Sequence, residues 1–252
     1  VAVVGEDPSS RAYVRGLEKI AAQIGIGLTV DRFPESIDVR GLRQDLERYG
    51  RDESIHGVIL QQPLPAHLPI RRIADAIPPA KDVDGANPGN LGLLAFAEAA
   101  RLVPATPAAV MLLLEKSAKW PLRGREVAVV GRSSVVGLPV SLLLIAQSAT
   151  VTVLHRATRD IRAHTKRAEI VIVAAGAPKL VDADWLQPGA TVIDVGTTLV
   201  DSKLTGDVDF ASASLVAGEI TPVPGGVGPL TNAMLMRNVL IAAEAQPRKW
   251  EI

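Results

Sequence analysis

Apolar and polar positions in the first half of the chain switch between strand and helix spacing. Val1–Val4 is a short apolar run ending at Gly5, the mark of a buried strand. From about Ser10 to Ile24 the positions Val14, Leu17, Ile20, Ala21 and Ile24 recur at helical spacing. Gly25 and Gly27 are expected to stop that helix. Leu28–Arg32 predicts a second strand, and Val39–Tyr49 a second amphipathic helix closed by Gly50. Gly57–Gln61 predicts a third strand, followed by Pro63-Leu64-Pro65. The β-α-β-α-β order predicts a parallel sheet. The stretch from Pro78 to Asn90 is dense in Pro, Gly and polar residues and reads as a loop. A loop this long inside a compact domain is commonly functional.

The second half repeats the alternation. Thr106-Pro107 is expected to open a helix through Leu114, with Thr as N-cap and Pro in the first turn. Val127–Val130, Val151–Leu154, Ile170–Ala174 and Thr191–Val195 predict strands. Val136–Ala146, Ile161–Ala168 and Leu230–Ala243 predict helices. The whole reads as two α/β units with parallel sheets, divided near Thr106, the last helix crossing back onto the first unit.

Composition narrows the chemistry. The 252 residues carry 27 Lys plus Arg and 27 Asp plus Glu, a formal net charge of zero. Balanced charge argues against nucleic acid as a partner. There is no cysteine, so a disulfide framework, thiolate metal sites and a cysteine nucleophile are excluded. An apolar share of 48% argues against disorder. No apolar run approaches the roughly 18–20 residues of a membrane span, and no signal-peptide pattern stands at the start. A soluble, cytoplasmic protein with no membrane partner is expected. The start on Val1, already inside a strand, is compatible with a chain shortened at its N-terminus. The four histidines are scattered without zinc-ligand spacing, so no metal is expected.

Several segments could bind ligands. Val127–Val130 ends at Gly131, followed by Arg132-Ser133-Ser134-Val135-Val136-Gly137 and a helix. Glycine permits a sharp turn there, and a helix N-terminus offers free N–H groups to a phosphate. Ser133 stands where the dinucleotide fingerprint has its second glycine, so an ordinary strand-to-helix turn remains an alternative. The next strand ends at His155-Arg156, where an NAD site would carry an acid. Arg156 and Arg132 suit a 2′-phosphate, hence NADP; the alternative is a pair of solvated arginines. Pro222–Pro229 holds three glycines, and Thr231 is expected to cap the helix that follows. That loop suits a planar ligand or an anion, or is a plain connector. Gln61 ends a strand at the edge where parallel sheets bind ligands. Asp82 and Asp84 sit two apart in the long loop as ligand contacts, turn residues or metal ligands. Gly131–Val135 does not fit a hydrolase nucleophile elbow.

In order and spacing, these segments resemble the methylenetetrahydrofolate dehydrogenase/cyclohydrolase family. The resemblance runs from Val1 to about Ala243. It rests on the segments Val4–Ser10 with Tyr13-Val14, Gln61–Pro65, Lys81–Gly85, Pro104–Pro107, Val130–Ser133, Val192–Gly196, Gly206–Phe210 and Thr221–Pro229. It implies a folate domain over 1–106 plus 230–252 and a Rossmann-type NADP-binding domain over 107–229. It also implies a homodimer that oxidises 5,10-methylenetetrahydrofolate in one-carbon metabolism, then hydrolyses the methenyl product to 10-formyltetrahydrofolate. By the resemblance, Tyr13 stacks near the small-molecule folate substrate, Gln61 hydrogen-bonds it and Asp84 holds the pterin amino group. The Pro224, Gly225, Gly226, Val227 and Gly228 loop lines the folate. Gly131, Arg132 and Ser133 hold the NADP phosphates, with Arg156 and Thr197 nearby.

One departure concerns the chemistry. The family has a proton-shuttling lysine four residues after its helix tyrosine; here that position is Leu17. Lys19 lies roughly 200° round the helix, at ~100° per residue, and Arg15 stays charged. Weak or absent cyclohydrolase activity is predicted, as in family members that lack the lysine. Ala105 for cysteine, Ala109 for glycine, Arg156 for serine and Thr197 for isoleucine are smaller departures. A non-catalytic folate- or nucleotide-binding paralogue and a shikimate-dehydrogenase-like NADP enzyme stay open as alternatives.

Overall fold

The computed structural model describes residues 1–96 and 102–246, apart from the Ser9 side chain. It divides into two compact units, Val1–Val103 with Leu235–Ile252, and Pro104–Met234.

In the first unit, β1 (Ala2–Val4) pairs in parallel with β2 (Asp31–Phe33). The second strand begins three residues later than the apolar run suggests, because its register starts at Ala2↔Asp31. Residues 57–61 do not form a full strand. They run beside β1 through the bridge Ala2↔Leu60 and bonds from Ala2 N to Ile59 O (2.8 Å) and from Gln61 N to Ala2 O (2.9 Å). Between these strands lie α1 (Pro8–Gln23), whose N-cap Asp7 accepts from Ser10 N, and α2 (Val39–Arg51), whose N-cap Asp38 accepts from Gly41 N. Gly50 does not close α2. It sits inside the helix because a Cβ there would meet Pro78 Cγ at 2.6 Å. Leu42, Leu46 and Tyr49 of α2 pack with Ala2, Val4, Val58, Leu60 and Ile73 as one apolar core.

The expected loop from Pro78 to Asn90 is partly helical. It contains a 3-10 turn over Pro79–Lys81 and the start of α3 (Pro88–Ala95). Asn87 caps α3 by accepting from Gly89 N, with Pro88 in the first turn. That is an ordinary start signal, hidden in the sequence by the Pro/Gly content around it.

In the second unit, α4 (Ala105–Glu115) precedes a five-stranded parallel sheet. Pro104 occupies its N-cap, so Thr106 lies inside the first turn and caps nothing. Instead Thr106 accepts a hydrogen bond from Thr231 Oγ1 at 3.3 Å. The sheet strands are β3 (Glu126–Val130), β4 (Thr150–Leu154), β5 (Ile170–Val173), β6 (Thr191–Asp194) and the two-residue β9 (Glu219–Ile220). A small hairpin, β7 (Thr198–Val200) with β8 (Lys203–Thr205), follows β6. The helices are α5 (Gly137–Ala146), α6 (Ile161–Thr165), α7 (Phe210–Ala213) and α8 (Val227–Glu244). Because α8 starts at Val227, Thr231 is not its cap either.

The central strands β3, β5 and β6 are buried on both faces, as a parallel sheet covered on both sides requires. Val127, Val129, Ile170, Ile172 and Ile193 pack on one face with Val140 and Leu144 of α5. Ala128, Val130, Val171, Val173 and Val192 pack on the other with Trp185 and Ala213. The spatial order is β4-β3-β5-β6-β9. The chain leaves β3 toward one side and returns on the other, so the switch point, where doubly wound sheets bind ligands, lies between β3 and β5.

Candidate active site and nucleotide cradle

The first turn of α1 is tied to the Gln61–Pro65 segment by Ser10 Oγ, which donates to Gln62 O at 3.3 Å. One turn on, Tyr13 is 36% exposed. Gln61 Nε2 donates to Gln62 O at 2.6 Å, leaving the carboxamide oxygen without a partner among the described residues. That oxygen can accept from a ligand.

The geometry separates Asp82 from Asp84. Asp82 is fully buried, and its carboxylate accepts from Ala86 N (2.9 Å), Asn87 N (2.8 Å) and Asn90 Nδ2 (2.9 Å). It is the anchor of the loop. Asp84 is half-buried and has no hydrogen-bond partner among the described residues. Burial, and then the negative charge of Asp82, push its carboxyl up to about 7. Burial, and then Asp84's charge, raise the Tyr13 phenol above its ordinary range. Tyr13 and Asp84 therefore lie within electrostatic reach of each other, and Tyr13 stays a protonated donor at neutral pH. Lys81 belongs elsewhere: its Nζ donates to the carbonyls of Asp52 (2.6 Å) and Tyr49 (3.3 Å) at the end of α2.

In the second unit, Gly131 follows β3 with φ +122°, and a Cβ there would meet Ala174 O at 2.1 Å. A Cβ on Gly137 would meet Gly131 O at 2.2 Å. Two glycines of the dinucleotide pattern are thus required by backbone approach at the switch point. Ser133 is exposed, and its Oγ accepts from Val136 N at 3.1 Å, tightening the turn into α5. At the start of α5, Val136 N and Leu138 N both donate to Ser133 and Pro139 has no N–H, so Gly137 N is the helix-start donor left for an anion among the described residues. Arg132 and Arg156 are exposed, and neither has an ion-pair or hydrogen-bond partner among the described residues. Thr197 is exposed just beyond β6.

Sequence reasoning gave no role to the two aspartates that shape this edge. Asp194 is buried at the end of β6 and accepts from Gly196 N (2.9 Å), Asp207 N (3.0 Å) and Val208 N (2.9 Å). Burial raises its carboxyl, against the pull of those N–H donors. Asp207 Oδ2 accepts from Ala175 N (2.7 Å) and Gly176 N (2.8 Å), latching the turn after β5 whose Ala174 carbonyl faces Gly131. A Cβ on Gly206 would meet Asp194 Oδ2 at 1.9 Å, and one on Gly196 would meet Asp207 Cγ at 2.3 Å. Acid–glycine pairs at both positions were the available signal.

The Pro224–Gly228 segment is a turn running into α8. Gly225 has φ +105°, and Gly226 lies against Pro222 O, 2.5 Å from where a Cβ would be. Val227 is 4% exposed within the core beside β3, so its side chain is unavailable to a ligand and only its backbone could serve. Around Gly228 the space is open.

The family models match nearly the whole chain. Residues 1–84 match the catalytic domain of tetrahydrofolate dehydrogenase/cyclohydrolase, and residues 104–247 its NAD(P)-binding domain. The chain belongs to the tetrahydrofolate dehydrogenase/cyclohydrolase family. It is 47% identical to the bifunctional protein FolD of Exiguobacterium sibiricum over 97% of this chain and 87% of that one. The FolD crystal structure from Campylobacter jejuni superposes with TM-score 0.91 at 38% identity, covering 96% of this chain and 86% of that one. The Trypanosoma brucei FolD, solved with NADP cofactor and inhibitor, gives 0.91 at 40% identity, covering 96% and 85%.

Within this tetrahydrofolate dehydrogenase/cyclohydrolase chain, Leu17 takes a core position. Ser10, Val14, Leu17 and Ala21 form the buried stripe of α1, and Leu17 is 0% exposed. Arg15 and Lys19 are exposed. The charge acting on Asp84 is that of another anion, Asp82, and among the described residues no cation lowers its pKa. Among the described residues no group of three or more His, Asp or Glu could hold a metal ion, and no helix is long and apolar enough to cross a membrane.

Proposed function

We propose that this chain is an NADP-dependent 5,10-methylenetetrahydrofolate dehydrogenase of one-carbon metabolism, working as a cytoplasmic homodimer, whose cyclohydrolase step is weak or absent. The observation that carries the reading is the half-buried Asp84 carboxylate, unpartnered among the described residues and within electrostatic reach of Tyr13. A carboxylate so placed accepts from the exocyclic amino group of a pterin. Tyr13 offers a ring face, and Gln61 its free carboxamide oxygen. The Pro224, Gly225, Gly226, Val227 and Gly228 segment contributes backbone to the folate. Gly131 and Ser133 shape the phosphate turn, Arg132 and Arg156 meet a 2′-phosphate, and Thr197 lies at the same sheet edge. Bound NADP⁺ supplies the acceptor for the oxidation; the protein's share is proximity and orientation.

Purified protein given methylenetetrahydrofolate and NADP⁺ is expected to form the methenyl product, followed by its absorbance, faster than with NAD⁺. No turnover with either dinucleotide, despite measurable folate binding, would replace this reading with a non-catalytic folate-binding paralogue.

Asp84 makes a pH prediction. Its carboxyl titrates near 7 when folded and near 3.8 when unfolded. Between those values the folded state binds more protons, so stability falls as pH rises through this window. Asp84→Asn is expected to raise the thermal midpoint by several degrees at pH 8, at about 2–4 °C per kcal/mol for a chain of this size. The gain should vanish near pH 4. The same variant should weaken folate binding, and wild-type folate binding should itself weaken as pH drops below 7. A midpoint difference independent of pH would show that Asp84 does not titrate as described.

A further inference from the structure

Asp84 has no hydrogen bond of its own among the described residues, so its backbone must set the direction of its carboxylate. Val83, its neighbour, is 1% exposed and pinned on three sides. Its N–H donates to Lys81 O at 3.0 Å. Its side chain lies so close to Gly57 that a Cβ there would meet Val83 Cγ1 at 2.6 Å. Its carbonyl accepts from Nδ2 of Asn238, on α8, at 2.8 Å. Asn238 is separated from Val83 by 155 residues and is fully buried. Its second amide proton goes to Val103 O at 2.7 Å.

The cost of this arrangement points to its purpose. The Asn238 carboxamide oxygen is buried with no partner among the described residues. Flipping the amide would set that oxygen against two carbonyls, so the donor end must face them. A leucine of similar volume would remove that oxygen but leave the Val83 and Val103 carbonyls without this donor. The asparagine is therefore there for its two donors, and one of them holds the peptide on which Asp84 is mounted.

We propose that Asn238 is a positioning residue for the dehydrogenase reaction, fixing the Val83 carbonyl and through it the aim of the Asp84 carboxylate. The inference rests on the reading of Asp84 as a folate contact, and the test separates the two. KM for methylenetetrahydrofolate and for NADP⁺ would be measured for Asn238→Ala, Asn238→Ser, Asp84→Asn and the double variant Asn238→Ala/Asp84→Asn. Asn238→Ala is expected to raise the folate KM about tenfold, the scale of one buried hydrogen bond, with the NADP⁺ KM within about twofold. Asn238→Ser keeps one donor and should recover part of the loss, leaving a folate KM about two- to fivefold above wild type. In the Asp84→Asn background, Asn238→Ala should add less than about twofold, because residues acting through one contact are not additive.

An unchanged folate KM in Asn238→Ala, or full additivity in the double variant, would overturn the inference. If Asp84→Asn itself leaves the folate KM unchanged, the Asp84 reading falls instead, whatever Asn238 does. Should Asn238→Ala fail to fold, Asn238→Ser carries the comparison. A folate KM two- to fivefold above wild type, on the order of part of one bond, is then expected, and no change would reject the role.

Discussion

Gly131→Ala is expected to raise the NADP⁺ dissociation constant by about 10²-fold or more, equivalent to roughly 3 kcal/mol. Two independent penalties act at that site. The backbone has φ +122°, where an L side chain is strained. The added methyl would also lie 2.1 Å from Ala174 O, which belongs to backbone and cannot rotate away. Relief requires the turns after β3 and β5 to spread, and those turns form the switch-point crevice. Asp207 resists the movement, since its carboxylate holds the amides of Ala175 and Gly176. Gly176→Ala is the control. Gly176 also has positive φ (+65°), but nothing lies within 4 Å of its added Cβ. It should cost only the left-handed strain of about 1–2 kcal/mol in stability and little in affinity. Fluorescence titration with NADPH, alongside thermal melting, reads both. If Gly131→Ala binds NADPH within about threefold of wild type while remaining folded, the crevice is not where the nucleotide sits.

The second large effect concerns the proton-transfer step. Wild-type protein given methenyltetrahydrofolate should leave it decaying at the buffer rate. General acid–base catalysis is typically worth ~10²–10⁴-fold, and the groups on hand do not supply it. Tyr13 stays protonated, Lys81 is committed to the end of α2, Leu17 is apolar and buried, and the Asp84 carboxyl, which does titrate near 7, is taken up by the pterin amino group in the proposed binding mode. Leu17→Lys is expected to accelerate the decay by at least ~10²-fold, whereas Leu17→Met should not. The gain comes with a loss of stability. Leu17 is 0% exposed, and burying such a side chain contributes about 1.5–3 kcal/mol. An ammonium there must either lose that packing or be desolvated. A lower thermal midpoint for Leu17→Lys than for Leu17→Met should therefore accompany the new activity. Clear wild-type acceleration over buffer would show that another group on this chain moves the proton.

Most strands and long helices could be read from local pattern, and the failures share a cause. Val127–Val130 and Ile170–Val173 are apolar runs buried on both faces, a pattern that needs no partner to be recognised. The run 28–32 misled because pairing, and not hydrophobicity, fixes where a strand begins, and β1 offers only Ala2–Val4 to pair with. Residues 57–61 similarly make single bridges. Gly50 read as a stop because glycine usually is one; its reason is Pro78, far along the chain. Thr106 and Thr231 each read as caps and instead bond to one another across 125 residues.

For the sites, the sequence by itself determined the chemistry on offer: a tyrosine, a glutamine and two aspartates in order, a glycine turn after a strand, and a leucine where the resemblance implies a proton carrier. Residue type fixes what a side chain can donate, accept or titrate, so Leu17 is apolar whatever surrounds it. Tertiary structure alone decided how those capacities are used. It assigned Asp82 to loop amides and left Asp84 without a hydrogen-bond partner among the described residues, which spacing of two residues cannot distinguish. It turned Val227 into the core and gave Asp194 and Asp207 their backbone partners. It also brought Asn238 to the carbonyl beside Asp84. Each of these depends on which groups are desolvated together, and burial is a property of the folded chain rather than of any residue in it.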